Sequence, residues 1–183
     1  DVYKRQGQYY YLYMVMDIYS RKIVGWQVHD CESSAHAADL IEDIANREKI
    51  DKNQLVIHSD NGSPMKGATL RAKMIDLEIS PSYSRPRVSN DNPYSESLFK
   101  TVKYHYTFPE APFTCLKEAR IWVEQFVNWY NEEHQHSAIK FVTPNQRHNG
   151  LDRAILENRK EVIEQAKKSH PERWNGRKTR NLT

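Results

Sequence analysis

Cysteine is almost missing from this chain of 183 residues: there are two, Cys31 and Cys115. They lie far apart and lack any metal-ligand spacing, so they read as free thiols in a reducing compartment. No apolar run approaches the roughly 20 residues that a helix needs to cross a bilayer. No signal peptide opens the chain. Internal repeats and low-complexity tracts are also lacking. Charge of one sign is not in large excess, since the net charge is +3, which by itself is a weak argument for a nucleic-acid partner. Its distribution says more. Residues 151–183 hold nine Lys/Arg against five Asp/Glu, and the first 150 hold eighteen against nineteen. A solvated basic helix would give the same count. What is left is the length and composition of one domain with one core and an appended helix.

The pattern along the chain supplies the elements. Tyr9 to Tyr19 is a near-continuous apolar and aromatic run, suited to a buried strand. Ser20-Arg21-Lys22 makes a turn, and Ile23 to His29 reads as the returning strand of a hairpin. Ser33 or Ser34 can cap a helix to about Arg47, with Ala37, Leu40, Ile41 and Ile44 on its inner face. Leu55–His58 is a short strand, Gly67–Leu77 a helix and Ile79–Ser82 another strand. Arg85–Asp91 has no period and reads as a loop. Asn92-Pro93 is a helix start, with an acceptor at the cap and proline in the first turn. That helix is predicted to reach about Tyr106, with Leu98, Phe99, Val102 and Tyr106 packed on a sheet. Leu116–Asn131 is a long amphipathic helix, and a last one spans Asp152 to about Lys168. The alternation predicts an α/β fold, a mixed sheet of antiparallel hairpin plus parallel strands flanked by helices.

Two carboxylates carry the chemistry. Asp60 follows the strand Val56-Ile57-His58-Ser59 and opens a polar turn, Asn61-Gly62-Ser63. Glu96 sits on the helix that starts at Asn92-Pro93. Acidic side chains at a strand end and on a downstream helix can converge on a divalent metal. Each has a plainer explanation. Asp-Asn-Gly is turn chemistry, and Asp60 can cap its own backbone. Glu96 and Lys100 have the spacing of a solvated i,i+4 ion pair. Lys103 shares the Glu96 face, since spacings of four and seven residues fall on one side of a helix.

Longer stretches decide between these readings. His58 to Ser63, then Ser84 to Tyr104 with Asn92-Pro93-Tyr94-Ser95-Glu96-Ser97-Leu98-Phe99-Lys100, resemble bacterial insertion-sequence transposases with a retroviral-integrase-type core. Trp129-Tyr130-Asn131 through Ile139, with Thr143-Pro144, is similar to the C-terminal signature of that family. Asp17 to Trp26 is similar to its hairpin. The resemblance covers roughly residues 7–150. It implies an RNase H-like fold and a DDE triad that binds two Mg²⁺, with Mn²⁺ able to substitute. The implied activity is hydrolysis of DNA at transposon ends and joining of the freed 3′-hydroxyl to another phosphodiester. Asp60 and Glu96 fall on the second and third triad positions. Two metals about 4 Å apart can serve such an in-line displacement without a protein nucleophile.

The first triad position falls on Asp1. The lead-in to that strand is missing, and Asp1-Val2-Tyr3-Lys4-Arg5-Gln6 also looks like translated adapter sequence, which would make residues 1–6 foreign to the protein. Asp17 is the alternative candidate, and its expected place at the Ser20-Arg21 turn argues for a turn cap instead. Gln135 stands where the family often has Arg. His134 and His136 lack the partners of a zinc site and are expected to be structural or to face DNA. The family's upstream helix-turn-helix is not present, so a catalytic domain or fragment is implied, binding DNA mainly through phosphates. Lys100 and Lys103 are the expected contacts, with Arg85 and Arg87 next. The resemblance further implies a homo-multimer on paired DNA ends, in the bacterial cytoplasm at the nucleoid, with no membrane partner. The domain reading is 1–150 as catalytic core and 151–183 as a basic helix and tail. Two other readings stay open: a catalytically dead RNase H-like DNA-binding and assembly remnant lacking the first Asp, and a nuclease without joining activity.

Overall fold

The computed structural model describes residues 2–3, 9–51, 53–86, 88 and 91–174. Asp1 and Arg87 lie outside the described residues. The strands are β1 (Val2–Tyr3), β2 (Tyr9–Met16), β3 (Ile23–His29), β4 (Val56–Ser59) and β5 (Ser80–Tyr83). The helices are α1 (Ser34–Arg47), α2 (Ala68–Asp76), α3 (Pro93–Lys103), α4 (Leu116–Glu132), α5 (Pro144–His148) and α6 (Asp152–Ser169). The chain divides into two compact units, one of Asp1–Met16 with Val24–Phe126 and one of Asp17–Ile23 with Val127–Thr183.

In the first unit β1, β2 and β3 form one sheet in that order, and β1 pairs antiparallel with β2 in the register Val2↔Tyr10. β4 and β5 make a separate parallel pair, Val56↔Ser80 through Ser59↔Tyr83. The expected mixture of antiparallel hairpin and parallel strands is present, shared between two hydrogen-bonded groups. A parallel pair needs a crossover between its strands, and α2 supplies it.

Helix α1 forms where its periodicity places it. Ser33 is the cap, its Oγ accepting from the Ala35 N–H at 3.1 Å. The Tyr13 hydroxyl pins this start by donating to the Ser33 carbonyl and accepting from the Ser33 N–H. Ala37, Ala38, Leu40, Ile41 and Ile44 are all buried. Ala37, Ala38 and Ile41 join Leu70, Met74 and Ile79 in one core cluster, with Tyr13, Val15, Leu55 and Ile57 against it. Gly25 on β3 permits the close approach of α1, since a Cβ there would lie 2.4 Å from Ile44 Cδ1.

Helix α3 departs from expectation in two respects. The Asn92 side chain makes no cap hydrogen bond; its φ of −129° and ψ of 46° lie outside the extended region that aims a cap side chain at the first turn. Pro93 at the start supplies the preset φ instead. The helix also stops at Lys103, so Leu98 and Val102 are buried while Phe99 is 42% and Tyr106 84% exposed. Phe99 sits at the edge of the apolar stripe, and Tyr106 falls beyond the helix in the turn that follows.

In the second unit, β2 has ended and Asp17 opens a turn closed by Asp17 N–H to the Lys22 carbonyl at 2.9 Å. The Asp17 carboxylate accepts from the Tyr19 and Ser20 N–H groups and from Ser20 Oγ at 2.5 Å. Burial pushes its pKa up, but these hydrogen bonds outweigh burial and hold it below the ordinary value. Asp17 is therefore a turn cap, as its position predicts. Asn131 donates to the Ile23 carbonyl and accepts from the Ile23 N–H at 3.0 and 2.9 Å. This amide does for Ile23 what a neighbouring strand would do. Thr143 and Gln146 form a capping box that starts α5, a short helix the sequence reading did not separate. Arg159 donates to the carbonyls of Lys140 and Phe141, two residues held at positive φ.

Candidate functional site

Asp60 stands immediately after β4, at the carboxyl end of a parallel strand pair, where open α/β sheets place their ligands. Backbone and side-chain bonds fix that end. Ser84 N–H donates to the Ser59 carbonyl at 3.0 Å, and Asn61 Nδ2 donates to the Ser84 carbonyl at 2.7 Å. His58 lies 2.9 Å from Ser82 Oγ through Nδ1 and 3.4 Å from Ser84 Oγ through Nε2. Asp60 is exposed, and its Oδ1 accepts from the Gly62 N–H at 3.0 Å. The turn role foreseen for this residue is thus filled by one oxygen. The other has no hydrogen-bond or ion-pair partner among the described residues.

Glu96 is exposed in the first turn of α3. The helix dipole favours negative charge there. The plain expectation of an i,i+4 pair with Lys100 is not met: among the described residues the Glu96 carboxylate has no ion pair or hydrogen bond, and neither has the Lys100 ammonium. A carboxylate with two lysines beyond it on one helix face is therefore left open. Lys103 is likewise without an ion pair among the described residues, and its Nζ lies 6.0 Å from the Tyr104 ring centroid.

A brace links the two carboxylate-bearing elements. Arg85 follows Ser84, the residue bonded to the β4 end. Its guanidinium donates twice to Asp91, Nε to Oδ2 and Nη2 to Oδ1 at 2.9 Å each, and its backbone N–H adds a bond of 2.8 Å. Asp91 immediately precedes the Asn92-Pro93 start of α3. The fork and the backbone N–H pull the Asp91 pKa down to about 2. Sequence reading assigned Arg85 only an external role and gave Asp91 none. The signal available was an Arg and an Asp six residues apart in an aperiodic loop, which does not reveal a bidentate pair.

His134 rests against Tyr130 and Trp129, with ring centroids 5.2 and 5.0 Å away. His136 Nδ1 accepts from the Ala138 N–H. Burial, then the charges of His134 and Arg21, lower the His136 pKa. Both histidines brace their turn.

Asp60 and Glu96 supply hard oxygen donors on an exposed surface, the donor type that suits Mg²⁺, an ion that keeps water and substrate oxygens in its shell. Among the described residues no three His, Cys, Asp or Glu side chains group as a metal site. Asp60 and Glu96 are two of the three expected ligands, and the third, Asp1, lies outside the described residues.

This arrangement, an antiparallel hairpin, a parallel pair with an acidic strand end and a helix carrying the second carboxylate, is the RNase H-like α/β fold of retroviral integrase cores. A chain of the simian T-cell lymphotropic virus intasome in complex with PP2A regulatory subunit B56 gamma superimposes with a TM-score of 0.62 at 17% identity, over 79% of this chain and 50% of that one. The catalytic core domain of BIV integrase matches with a TM-score of 0.57 at 16% identity, over 78% and 88%. Two family models, each described as Integrase core domain, match residues 1–89 and 77–144. Together these matches tile residues 1–144, so the chain belongs to the integrase-core family, and it is similar to insertion-sequence transposases. A relative in Mycobacterium tuberculosis, assigned as transposase for insertion sequence element IS986/IS6110, is 25% identical over 138 residues. That match covers 73% of this chain and 50% of the relative, so the chain spans about half the relative's length.

Proposed function

We propose that this chain is the catalytic core of a DNA transposase, cutting a DNA strand and joining the freed 3′-hydroxyl to a second phosphodiester. The observation that carries the reading is the open Glu96 carboxylate, held on α3 through the Arg85–Asp91 brace to the strand end that bears Asp60. Asp60 and Glu96 would hold divalent metal, Mg²⁺ or Mn²⁺, with Asp1 as the third ligand. When bound, a metal pair lowers the pKa of an attacking water or hydroxyl and stabilises the leaving oxygen.

The chain's own residues do the rest. The β4 end and the Asn61–Ser84 bond hold Asp60 still, and α3 presents Glu96. Lys100 and Lys103 lie on the Glu96 face without ion-pair partners among the described residues, and would take DNA phosphates. Such contacts position the strand without reading its sequence. Arg85 is a weaker candidate for the same task, since Asp91 holds its fork. Arg87 stays a candidate from sequence alone. Transposon ends and target DNA are the proposed partners, with the chain assembled as a homo-multimer on them at the nucleoid. No helix among the described residues is long and apolar enough to cross a membrane.

The test is Mg²⁺-dependent nicking of a supercoiled plasmid. Asp60→Asn and Glu96→Gln should each abolish it while the far-ultraviolet circular dichroism is unchanged. A remnant that only binds DNA would show no Mg²⁺-dependent nicking in the unaltered chain either.

A further inference from the structure

In the first unit the large aromatic rings of α4 and of the loop before it are inside: Phe113, Trp122 and Phe126 are all buried. Two rings just past the end of α3 are not. Tyr104 is 73% and Tyr106 84% exposed. Between them, half-buried His105 is anchored. Its ring meets Phe126 edge-on at 5.4 Å and Trp122 at 6.3 Å. His105 Nδ1 accepts from Thr107, whose carbonyl in turn takes the Trp122 indole N–H at 2.8 Å. Burial lowers the His105 pKa, which favours the neutral ring. The Tyr106 ring leans on His105 with centroids 4.5 Å apart. One side of Tyr106 is thus backed by a fixed ring and the other is bare.

The neighbouring ring, Tyr104, has a cationic setting. Lys103 lies beside the Tyr104 ring. Lys100 and Lys103 carry charge that no carboxylate among the described residues offsets. Exposed rings that follow directly on two lysines without ion-pair partners among the described residues match the chemistry of a polyanion whose flat faces are free, which is unpaired DNA. Paired bases within a duplex offer no such faces.

We propose that Tyr104 and Tyr106 form a stacking shelf for unpaired bases of the DNA strand engaged by α3, so that this core takes DNA ends with a frayed or single-stranded segment. The inference rests on the DNA-processing reading above and adds the form of the substrate. Geometry also sets the offset. Tyr104 is eight residues beyond Glu96, about 12 Å along a helix at 1.5 Å per residue. At about 3.4 Å per nucleotide this is three to four nucleotides from a phosphate beside Glu96.

The experiment uses the whole chain and two labelled probes, a blunt duplex and the same duplex with an unpaired 3′ tail of about four nucleotides. Fluorescence anisotropy should show tighter binding to the tailed probe. Tyr104→Ala/Tyr106→Ala should lose about ten- to a hundred-fold in affinity for the tail and little for the blunt duplex. Tyr104→Phe/Tyr106→Phe, which keeps both rings, should retain the preference. A 2-aminopurine in the tail should be quenched by the unaltered and Phe chains only. Equal binding of both probes, unchanged in the Ala variant, would overturn the shelf. So would an Ala variant that alters self-association in sedimentation but not DNA affinity, since the rings would then meet protein. Failure of the unaltered chain to bind either probe overturns the shelf together with the DNA reading. Glu96→Gln separates the two: a tail preference that persists while nicking survives this change keeps the shelf and removes the catalytic assignment.

Discussion

Asn131→Ala is the substitution whose cost follows most directly from the geometry. Asn131 is 8% and Ile23 3% exposed, and the amide is the partner of both backbone groups of Ile23. Truncation leaves a buried N–H and a buried carbonyl without partners. Each orphaned group costs about 1–3 kcal/mol, so the loss should fall near 2–6 kcal/mol, with the lower end applying if water enters the space left by the amide. Asn131→Asp refines the test. At neutral pH a carboxylate can still accept from the Ile23 N–H, but it sets oxygen against the Ile23 carbonyl. Only the protonated acid can donate there, so the folded pKa of the introduced carboxyl rises above its unfolded value. The folded state then binds more protons, and stability should recover as pH falls and decline as pH rises. Urea titration gives the magnitude, and hydrogen exchange at the Ile23 amide locates it. A cost below about 0.5 kcal/mol, with Ile23 still protected, would show that the Asn131 bonds do not hold the β3 entry.

Further outcomes follow from other contacts. Gly25→Ala would put a Cβ 2.4 Å from Ile44 Cδ1, and should cost about 1–3 kcal/mol in thermal or urea unfolding unless α1 shifts. Ser33→Ala removes the α1 cap and should cost about 1 kcal/mol by the same measurement. The Arg85–Asp91 brace should be present above the unfolded Asp91 pKa near 3.8 and be lost as pH falls through about 2. Carboxyl ¹³C titration of Asp91 checks this, and an Asp91 that titrates at its ordinary value would remove the brace. Asp91→Asn should weaken nicking without removing it, since it loosens the path to Glu96 while leaving the carboxylate.

Much of the fold is legible because it rests on local chemistry. Ser33 caps α1 and its apolar face is the buried one, since a 3.6-residue period survives tertiary packing. Asp17 caps its turn for the same reason. Failures occur where a contact joins distant residues or where an element ends. The Asn131 clamp spans 108 residues and leaves no trace in periodicity. α3 looks continuous to Tyr106 in composition, but it ends at Lys103, and Tyr104 and Tyr106 are left bare. At the candidate site, Asp60 and Glu96 could be singled out as residue types at a strand end and on a helix. The brace between them could not, because it is a fork of Arg85 across an aperiodic loop. Asp1 and Arg87 lie outside the described residues, so their parts stay expectations of sequence.

The proposed joint action of Asp60 and Glu96 on a DNA phosphodiester is tested by the rate of Mg²⁺-dependent plasmid nicking by the unaltered chain, Asp60→Asn, Glu96→Gln and the double variant. Nicking is expected from the unaltered chain alone, with the double variant no worse than either single one, as for groups that work as a unit. Undiminished nicking by either single variant would contradict it.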